Sequence, residues 1–331
     1  MNLLTTEERI AIFGSRGMAG SAISRALFRH GYENQLLPDR SQLDCLDRVS
    51  VREWMKSNRP DIVILTAAKV GGIKANNDFP ADFLIENLKI QTNVIENAWE
   101  FGVRRLLFLG SSCIYPKITE QPIREEALLT SPLEATNQWY AIAKIAGIKL
   151  CESLRIQHNF DAICLMPTNL YGTGDNYHPT KSHVIPALIR RFHEAKVQNN
   201  STVVCWGSGS PLREFLHAND LGEACVFSLE NWSSLAENAP CDDHGAPLTF
   251  LNVGTGIDIT IRDLSQKIAE VVGFNGKILW DTSKPDGTPQ KRLDVSRLKR
   301  MGWRSSIPLS DGLAMAYQDF QNELAGKRLR E

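Results

Sequence analysis

The sequence lacks several features that would mark a particular class of protein. Its seven cysteines are scattered over 331 residues without a Cys-x-x-Cys pair, which argues against zinc and disulfide frameworks. Lysine plus arginine number 37 against 38 aspartates plus glutamates, so the net charge of -1 provides no basic field for nucleic acid. No apolar run has membrane-spanning length, and the first residues do not resemble a signal peptide. We therefore expect a reduced, cytoplasmic protein with no metal, nucleic acid or membrane partner.

A glycine-rich loop stands close to the N-terminus, between an apolar strand at residues 9–13 and a helix that runs on through Leu27. Glycines allow the backbone to approach a pyrophosphate, and the N-terminus of a helix supplies N–H donors and a partial positive charge. The order is the shifted form of the dinucleotide fingerprint, which predicts an α/β Rossmann-type, doubly wound parallel sheet. The loop consists of Gly14, Ser15, Arg16, Gly17, Met18, Ala19 and Gly20.

The next predicted strand, at residues 35–38, ends at Asp39 and Arg40. An acidic residue at this position favours the ribose hydroxyl of NAD, whereas an arginine accepts the 2′-phosphate of NADP. The sequence offers both. Arg16 adds a second cation at the same corner, and we therefore predict NADP(H) as the coenzyme.

Tyr140 and Lys144 are four residues apart and share one face of a predicted helix. An ammonium beside the phenol would lower its pKa from about 10 and make Tyr140 an acid/base near neutral pH. Ser111 follows an apolar strand at residues 105–109, where it can hydrogen-bond the same substrate oxygen as Tyr140. Together with the glycine loop, these three residues predict an enzyme that exchanges a proton with a substrate oxygen beside a bound dinucleotide.

The rest of the chain predicts two interleaved units. Residues 1–172 form the Rossmann domain, to which the chain returns near 213–230 and 249–256, while residues 173–331 are mainly a smaller C-terminal α/β substrate-binding lobe. Residues 231–248 and 280–289 are expected to be exposed loops. Further predicted strands cover residues 61–65, 162–166, 202–206, 214–217 and 250–254, and further helices cover 51–58, 87–101, 184–194, 261–272 and two segments at the C-terminus.

The motifs in this order resemble the extended short-chain dehydrogenase/reductases. In more detail they resemble the GDP-4-keto-6-deoxy-D-mannose 3,5-epimerase-4-reductases within that family. The matching blocks are Gly-Ser-Arg-Gly-Met-Ala-Gly at 14–20, Ala-Ala-Lys-Val-Gly-Gly-Ile at 67–73, Gly-Ser-Ser-Cys-Ile-Tyr-Pro at 110–116, Tyr-Ala-Ile-Ala-Lys-Ile-Ala-Gly at 140–147, Met-Pro-Thr-Asn-Leu-Tyr-Gly at 166–172, Ser-His-Val-Ile-Pro-Ala-Leu at 182–188, Trp-Gly-Ser-Gly at 206–209, Arg-Glu-Phe-Leu-His at 213–217 and Ser-Lys-Pro-Asp-Gly-Thr-Pro at 283–289.

This resemblance implies a substrate, GDP-4-keto-6-deoxy-D-mannose, that is epimerised at C3 and C5 next to the C4 ketone and then reduced at C4 by NADPH. It implies that Cys113 removes a proton, that His183 supplies one on the opposite face, and that Tyr140 protonates the C4 oxygen with Ser111 and Lys144 beside it. The implied substrate contacts are Arg191, Trp206, Arg213 and Asp286. The implied coenzyme contacts add Arg40, Leu109, Gly110, Ser111, Ser112, Lys144, Pro167, Thr168, Asn169, Leu170 and His183 to the glycine loop.

Members of the family are homodimers, so we expect a pair of chains that meet through the helix at 87–101 and the Tyr140 helix. Thr173 and Gly174 depart from the Pro-His of the family. Two other interpretations remain open at this point. One is a nucleotide-sugar 4-epimerase or 4,6-dehydratase with tightly held NAD, which Asp39 favours, and the other is a non-catalytic NADP-binding sensor.

Overall fold

Strands and helices alternate along the part of the chain that the structure, a computed structural model, describes, namely residues 2–233, 236, 239–284 and 286–330. None of the helices in these ranges combines the length and apolarity that crossing a bilayer requires. The strands are β1 (Ile10–Phe13), β2 (Gln35–Leu36), β3 (Ile62–Leu65), β4 (Arg105–Leu109), β5 (Asp161–Pro167), β6 (Asn169–Tyr171), β7 (Thr202–Trp206), β8 (Leu212–His217), β9 (Phe250–Val253), β10 (Asp258–Thr260), β11 (Lys277–Asp281) and β12 (Gln290–Lys291). The helices are α1 (Met18–Arg29), α2 (Arg48–Asn58), α3 (Ile73–Asp78), α4 (Pro80–Glu100), α5 (Gln138–His158), α6 (Val184–Val197), α7 (Ala218–Asn231), α8 (Ile261–Val272), α9 (Ser296–Met301) and α10 (Leu309–Ala325).

The larger sheet contains six parallel strands in the order β2-β1-β3-β4-β5-β9. Its central strands are buried along their whole length because helices cover both faces, which explains their continuous apolar sequences. Helices α2, α4 and α5 pack on one face, and α1 and α7 pack on the other. The strand order reverses between β1 and β3, so the crevice beyond their carboxyl ends is the expected ligand site.

The smaller lobe is built around β8, which pairs with β6, β10 and β12. A separate parallel pair, β7 and β11, flanks it. Helices α6, α8 and α10 enclose a core of their own in which Phe192 and Phe320 are fully buried. The predicted fold class, a doubly wound parallel sheet with a smaller α/β lobe, is confirmed.

Several predicted elements have other bounds in the structure, and the following ones matter for the architecture. Helix α4 begins at Pro80 rather than at residue 87, because a proline fits the first turn and Asp82 carries negative charge at the N-terminus. The first residues of the predicted loop at 280–289 are the end of β11, which pairs with β7. Residue 285 of this loop lies outside the described residues. The predicted return of the chain to the Rossmann domain near 213–230 begins later than expected. Leu212–His217 is a strand of the smaller sheet, and the chain returns to the Rossmann domain with α7, which packs on α1. Residues 234, 235, 237 and 238 of the predicted loop at 231–248 also lie outside the described residues.

Candidate active site

The Ser111–Cys113 turn stands at the carboxyl end of β4, directly after Gly110. A single turn of 3-10 helix covers Ser112–Ile114, and the hydroxyl of Ser111 caps it by accepting the N–H of Cys113 at 3.3 Å. Cys113 is buried. The sheet thus delivers a hydroxyl and a thiol side by side to the edge where ligands of such sheets bind.

Tyr140 lies in the first turn of α5, which packs beside this 3-10 turn. Burial raises the pKa of the Tyr140 phenol far above its ordinary value, the neighbouring Cys113 raises it further, and a hydrogen bond with Ser111 lowers it. The phenol therefore stays protonated across the neutral range. In this state Tyr140 is a proton donor that is already aligned with Ser111.

Lys144 lies one turn further along α5 and is almost completely buried. Burial lowers the pKa of its ammonium to about 8, while Cys113 and Cys164 raise it. The Nζ atom donates to the carbonyl oxygen of Leu109 at 2.8 Å and is 5.8 Å from the centre of the Tyr140 ring. Lys144 is not among the groups that shift the Tyr140 pKa in this structure, where its ammonium is turned towards β4 and burial of the phenol dominates. That Lys144 lowers the Tyr140 pKa stays a prediction.

Lys291, in β12, is a site residue that the sequence analysis missed. Burial raises the pKa of the Cys113 thiol, and the Lys291 ammonium is the strongest of the influences that lower it, ahead of Ser111 and Lys144. Burial also lowers the pKa of Lys291 itself. Its strand pairs with β8, which sets Lys291 opposite Arg213. The position follows the Ser-Lys-Pro-Asp-Gly-Thr-Pro block, but only this long-range strand pairing brings it to Cys113.

His183 is the residue directly before α6. The residue is exposed at the surface, while the protein atoms packed around its ring lower the pKa of the imidazole. Within the described residues the ring has no hydrogen-bond partner. The backbone beside it is held against the loop after β3, where the N–H of Gly72 donates to the carbonyl of Lys181 at 3.0 Å. The neutral ring is thus free to bind a ligand, but the structure does not bring it into contact with Cys113.

The glycine loop is shaped by two close approaches of the backbone. Gly14 has a φ of +91°, and a Cβ there would lie 2.6 Å from the backbone nitrogen of Ala67. A Cβ on Gly20 would lie 2.2 Å from the carbonyl oxygen of Gly14, so α1 can pack this tightly on the loop only with glycine. Helix α1 has no side-chain cap, and its first N–H groups remain available to an anion. This arrangement fits the pyrophosphate of a dinucleotide.

The corner expected to select the coenzyme carries an ion pair. Arg16 donates to Asp39 at 2.5 Å, and its side chain is 79% exposed. Asp39 also accepts the N–H and the hydroxyl of Ser41, and these hydrogen bonds and Arg16 lower the pKa of the carboxyl group. Arg40 is exposed. The two arginines fit a 2′-phosphate, with a fixed carboxylate beside them.

The other predicted coenzyme contacts lie along the carboxyl ends of β4 and β5. The N–H of Gly110 donates to Leu165 at 2.9 Å, which joins the two strands where the Ser111 turn starts. Thr168 and Asn169 both donate to the backbone carbonyl of Glu214, at 3.1 and 2.8 Å. Their side chains therefore support the junction with β8. The neighbouring residues on the same edge are Leu109, Ser112, Pro167 and Leu170.

The predicted substrate residues form two adjoining groups in the smaller lobe. Arg191 donates to the carbonyl of Val204 at 3.0 Å, and its guanidinium carbon is 5.7 Å from the centre of a Trp206 ring that is 54% exposed. Asp286 accepts the N–H and hydroxyl of Ser208 at 3.0 and 2.7 Å. Burial lowers the pKa of Arg213, and Asp286 raises it. The lobe thus presents two guanidinium groups and an open indole.

Comparison with known proteins agrees with this site. The sequence profile of the NAD dependent epimerase/dehydratase family matches residues 10–239. GDP-L-fucose synthase 1 of Arabidopsis thaliana is 55% identical over 93% of this chain and 92% of its own, and the GDP-L-fucose synthase of Escherichia coli is 53% identical over 95% and 97%. The crystal structure of a GDP-L-fucose synthetase from Naegleria fowleri bound to NADP is 25% identical, covers 98% of this chain and 96% of its own, and superposes with a TM-score of 0.87.

The chain therefore belongs to the NAD dependent epimerase/dehydratase family. Within that family it stands with the GDP-L-fucose synthases, to which it is about half identical over nearly its full length. The resemblance inferred from the sequence motifs is confirmed. The 4-epimerase, 4,6-dehydratase and sensor interpretations are not favoured.

Proposed function

We propose that this protein converts GDP-4-keto-6-deoxy-D-mannose to GDP-L-fucose with NADPH, by epimerisation at C3 and C5 followed by reduction at C4. The observation that carries the proposal is the position of Cys113, a buried thiol on the turn that Ser111 caps, against which the helix of Tyr140 packs. Reduction alone requires only the Ser-Tyr-Lys set, whereas a thiol backed by an ammonium is a second acid/base device at the same place.

In the epimerisation, Cys113 acts as the base. The C4 ketone makes the C–H bonds at C3 and C5 acidic, and Cys113 removes a proton to give an enolate of the sugar. Lys291 and Lys144 both favour the thiolate against the cost of burial, which brings the pKa of Cys113 closer to that task. His183 returns a proton to the opposite face.

In the reduction, Tyr140 delivers its proton to the C4 oxygen, since its raised pKa keeps the phenol protonated. Ser111 donates to the same oxygen, and these donors stabilise the developing alkoxide more than the ketone. NADPH supplies the hydride to C4 when it is bound. Lys144, whose Nζ donates to the Leu109 carbonyl, would hold the nicotinamide ribose of the coenzyme.

The Rossmann domain and the smaller lobe each bind one of the two ligands, the coenzyme and the GDP-sugar. Residues 1–172, with the returns of the chain, bind the coenzyme through the glycine loop, Arg16, Arg40 and the carboxyl edges of β4 and β5. The lobe formed mainly by residues 173–331 holds the GDP group. Arg191 and Arg213 suit the diphosphate, because guanidinium groups bind phosphate oxygens in a bidentate manner. Trp206 offers an open indole face, and Asp286 orders the loop next to it.

The protein is further proposed to be a homodimer in the cytoplasm. Ile85 on α4 and Trp139 and Ile142 on α5 are 51%, 38% and 40% exposed, an apolar face that a second copy would cover. All seven cysteines are free thiols, as expected in a reducing compartment.

The function is tested by incubating the purified protein with GDP-4-keto-6-deoxy-D-mannose and NADPH, following coenzyme oxidation and identifying the product by NMR. We expect stoichiometric oxidation and a product with the L-fuco configuration. A product reduced at C4 with the original configuration at C3 and C5 would leave a simple ketoreductase and contradict the proposal. NADH in place of NADPH serves as the coenzyme control.

A further inference from the structure

The side chain of Asn252 joins two segments of the active site from behind. Asn252 lies in β9 and is completely buried. Its Oδ1 accepts the hydroxyl of Tyr115 at 2.6 Å. Its Nδ2 donates to the carbonyl of Ile123 at 2.9 Å and to that of Asp294 at 3.1 Å. Both ends of the amide are therefore engaged, and each bond reaches a different point of the chain.

The first of these segments is the turn that carries Cys113. Tyr115 follows that turn directly, two residues after the thiol, and its side chain is 1% exposed. A buried phenol that donates to a fixed acceptor cannot shift without losing its hydrogen bond. The Tyr115–Asn252 bond therefore anchors the end of the turn to the central sheet.

The second segment carries Lys291. Asp294, three residues further on, donates its N–H to Ile123 at 2.8 Å, and Ile123 donates to the carbonyl of Arg292 at 2.7 Å. On the far side Leu293 donates to the Glu214 carboxylate at 2.7 Å. The segment is thus fixed on both edges, and the bond from Asn252 to Asp294 is a direct link between it and the residue that anchors the Cys113 turn, in addition to the pairing of β12 with β8.

Asn252 is in turn held by a buried ion pair. The carboxylate of Glu125 accepts the backbone N–H of Asn252 at 3.0 Å and is paired with Arg297. Arg297 also pairs with Glu126. Buried charges that are matched in this way hold their neighbours in one arrangement, because breaking the pair leaves an uncompensated charge. The backbone of Asn252 is therefore fixed by a charged group that has its own partner.

We propose that Tyr115 and Asn252 are positioning residues that set the separation between the Cys113 thiol and the Lys291 ammonium, and thereby the strength of Cys113 as a base. The Coulomb attraction between two such groups depends directly on their separation in a site of low dielectric. Ser111 and Lys144 also act on Cys113. The role of Tyr115 and Asn252 in catalysis rests on the proposed function, whereas the hydrogen bonds that they make do not.

The test is the alkylation of Cys113 by iodoacetamide, without substrate, as a function of pH, with each cysteine quantified by peptide mass spectrometry. Tyr115→Phe removes one hydroxyl and no carbon atom. We expect it to slow alkylation of Cys113 about tenfold at neutral pH and to raise the midpoint of the pH profile by about one unit. Tyr177→Phe is the matched control, since Tyr177 is a buried phenol that donates to Ala316 at 3.2 Å in the other lobe.

A second variant, Asn252→Asp, places an oxygen against the two carbonyls that Nδ2 now serves, and we expect a shift in the same direction. The proposal is overturned if Tyr115→Phe alkylates Cys113 like the unmodified protein, or if Tyr177→Phe shifts the profile equally, since that would be a general loss of stability. An unchanged NADPH affinity in Tyr115→Phe would show that the coenzyme layer is intact. If Tyr115→Phe shifts the pH profile of Cys113 alkylation as expected but the unmodified protein forms no GDP-L-fucose, the proposed function is refuted and the positioning role stands.

Discussion

Replacing Lys291 by methionine tests how much of the basicity of Cys113 is electrostatic. Methionine keeps an unbranched apolar side chain of similar length and removes the ammonium that most strongly lowers the Cys113 pKa. An opposite charge close to a carboxyl or thiol group shifts its pKa by about 1–3 units. The loss of that charge therefore raises the pKa of Cys113 and reduces the thiolate fraction at neutral pH by about 10- to 1,000-fold, or about 1.4 to 4 kcal/mol.

The assay is the rate at which solvent deuterium enters the substrate, measured by NMR over a range of pH. Because Lys291 lowers the pKa of Cys113, its removal should move the rising limb of the rate to higher pH, so the loss is largest at low pH and is partly recovered at high pH. Lys284→Met is the control, since Lys284 is an exposed lysine on the preceding loop. An exchange rate and pH profile in Lys291→Met equal to those of the control would refute the reasoning.

Three further predictions follow from the same structure. Tyr140→Phe should reduce NADPH oxidation by about 10²- to 10⁴-fold while deuterium exchange continues, and a parallel loss of both would contradict the division of roles. Gly20→Ala places a Cβ 2.2 Å from the Gly14 carbonyl, so thermal unfolding and NADPH titration should show a destabilisation of about 1–3 kcal/mol and weakened binding; normal values for both would argue against the close approach. Ile142→Arg puts a charge on the proposed dimer face and should yield monomers in sedimentation experiments, whereas an unmodified protein that is already monomeric would remove that proposal.

The parts of the fold that the sequence predicted are those with a strong local pattern. The strand at 105–109 and the helix at 261–272 have the predicted bounds because one is apolar along its length and the other has a Thr260 cap and a helical apolar face. β11 was missed because its alternation is weak, with side chains that are half-buried or exposed, and because it becomes a strand only by pairing with β7. The early start of α4 depends on a proline that also fits a loop.

The site divides in a similar way. Ser111, Cys113, Tyr140 and Lys144 stand in recognisable motifs, and the structure brings them together at one sheet edge. Lys291 has no motif of its own and reaches Cys113 through the pairing of β12 with β8, a contact that local patterns do not contain. The effect of Lys144 on Tyr140 depends on the direction of an ammonium within a buried site, and spacing along a helix does not determine that direction.

The central claim is that one site carries two separate acid/base devices, with Cys113 serving the epimerisation. The most direct measurement is to incubate the unmodified protein and Cys113→Ser with GDP-4-keto-6-deoxy-D-mannose in deuterated water and to locate the deuterium by NMR. The account predicts label at C3 and C5 with the unmodified protein and almost none with Cys113→Ser, at nearly equal NADPH affinity. Equal labelling by the two proteins would contradict it, because the base would then be another group.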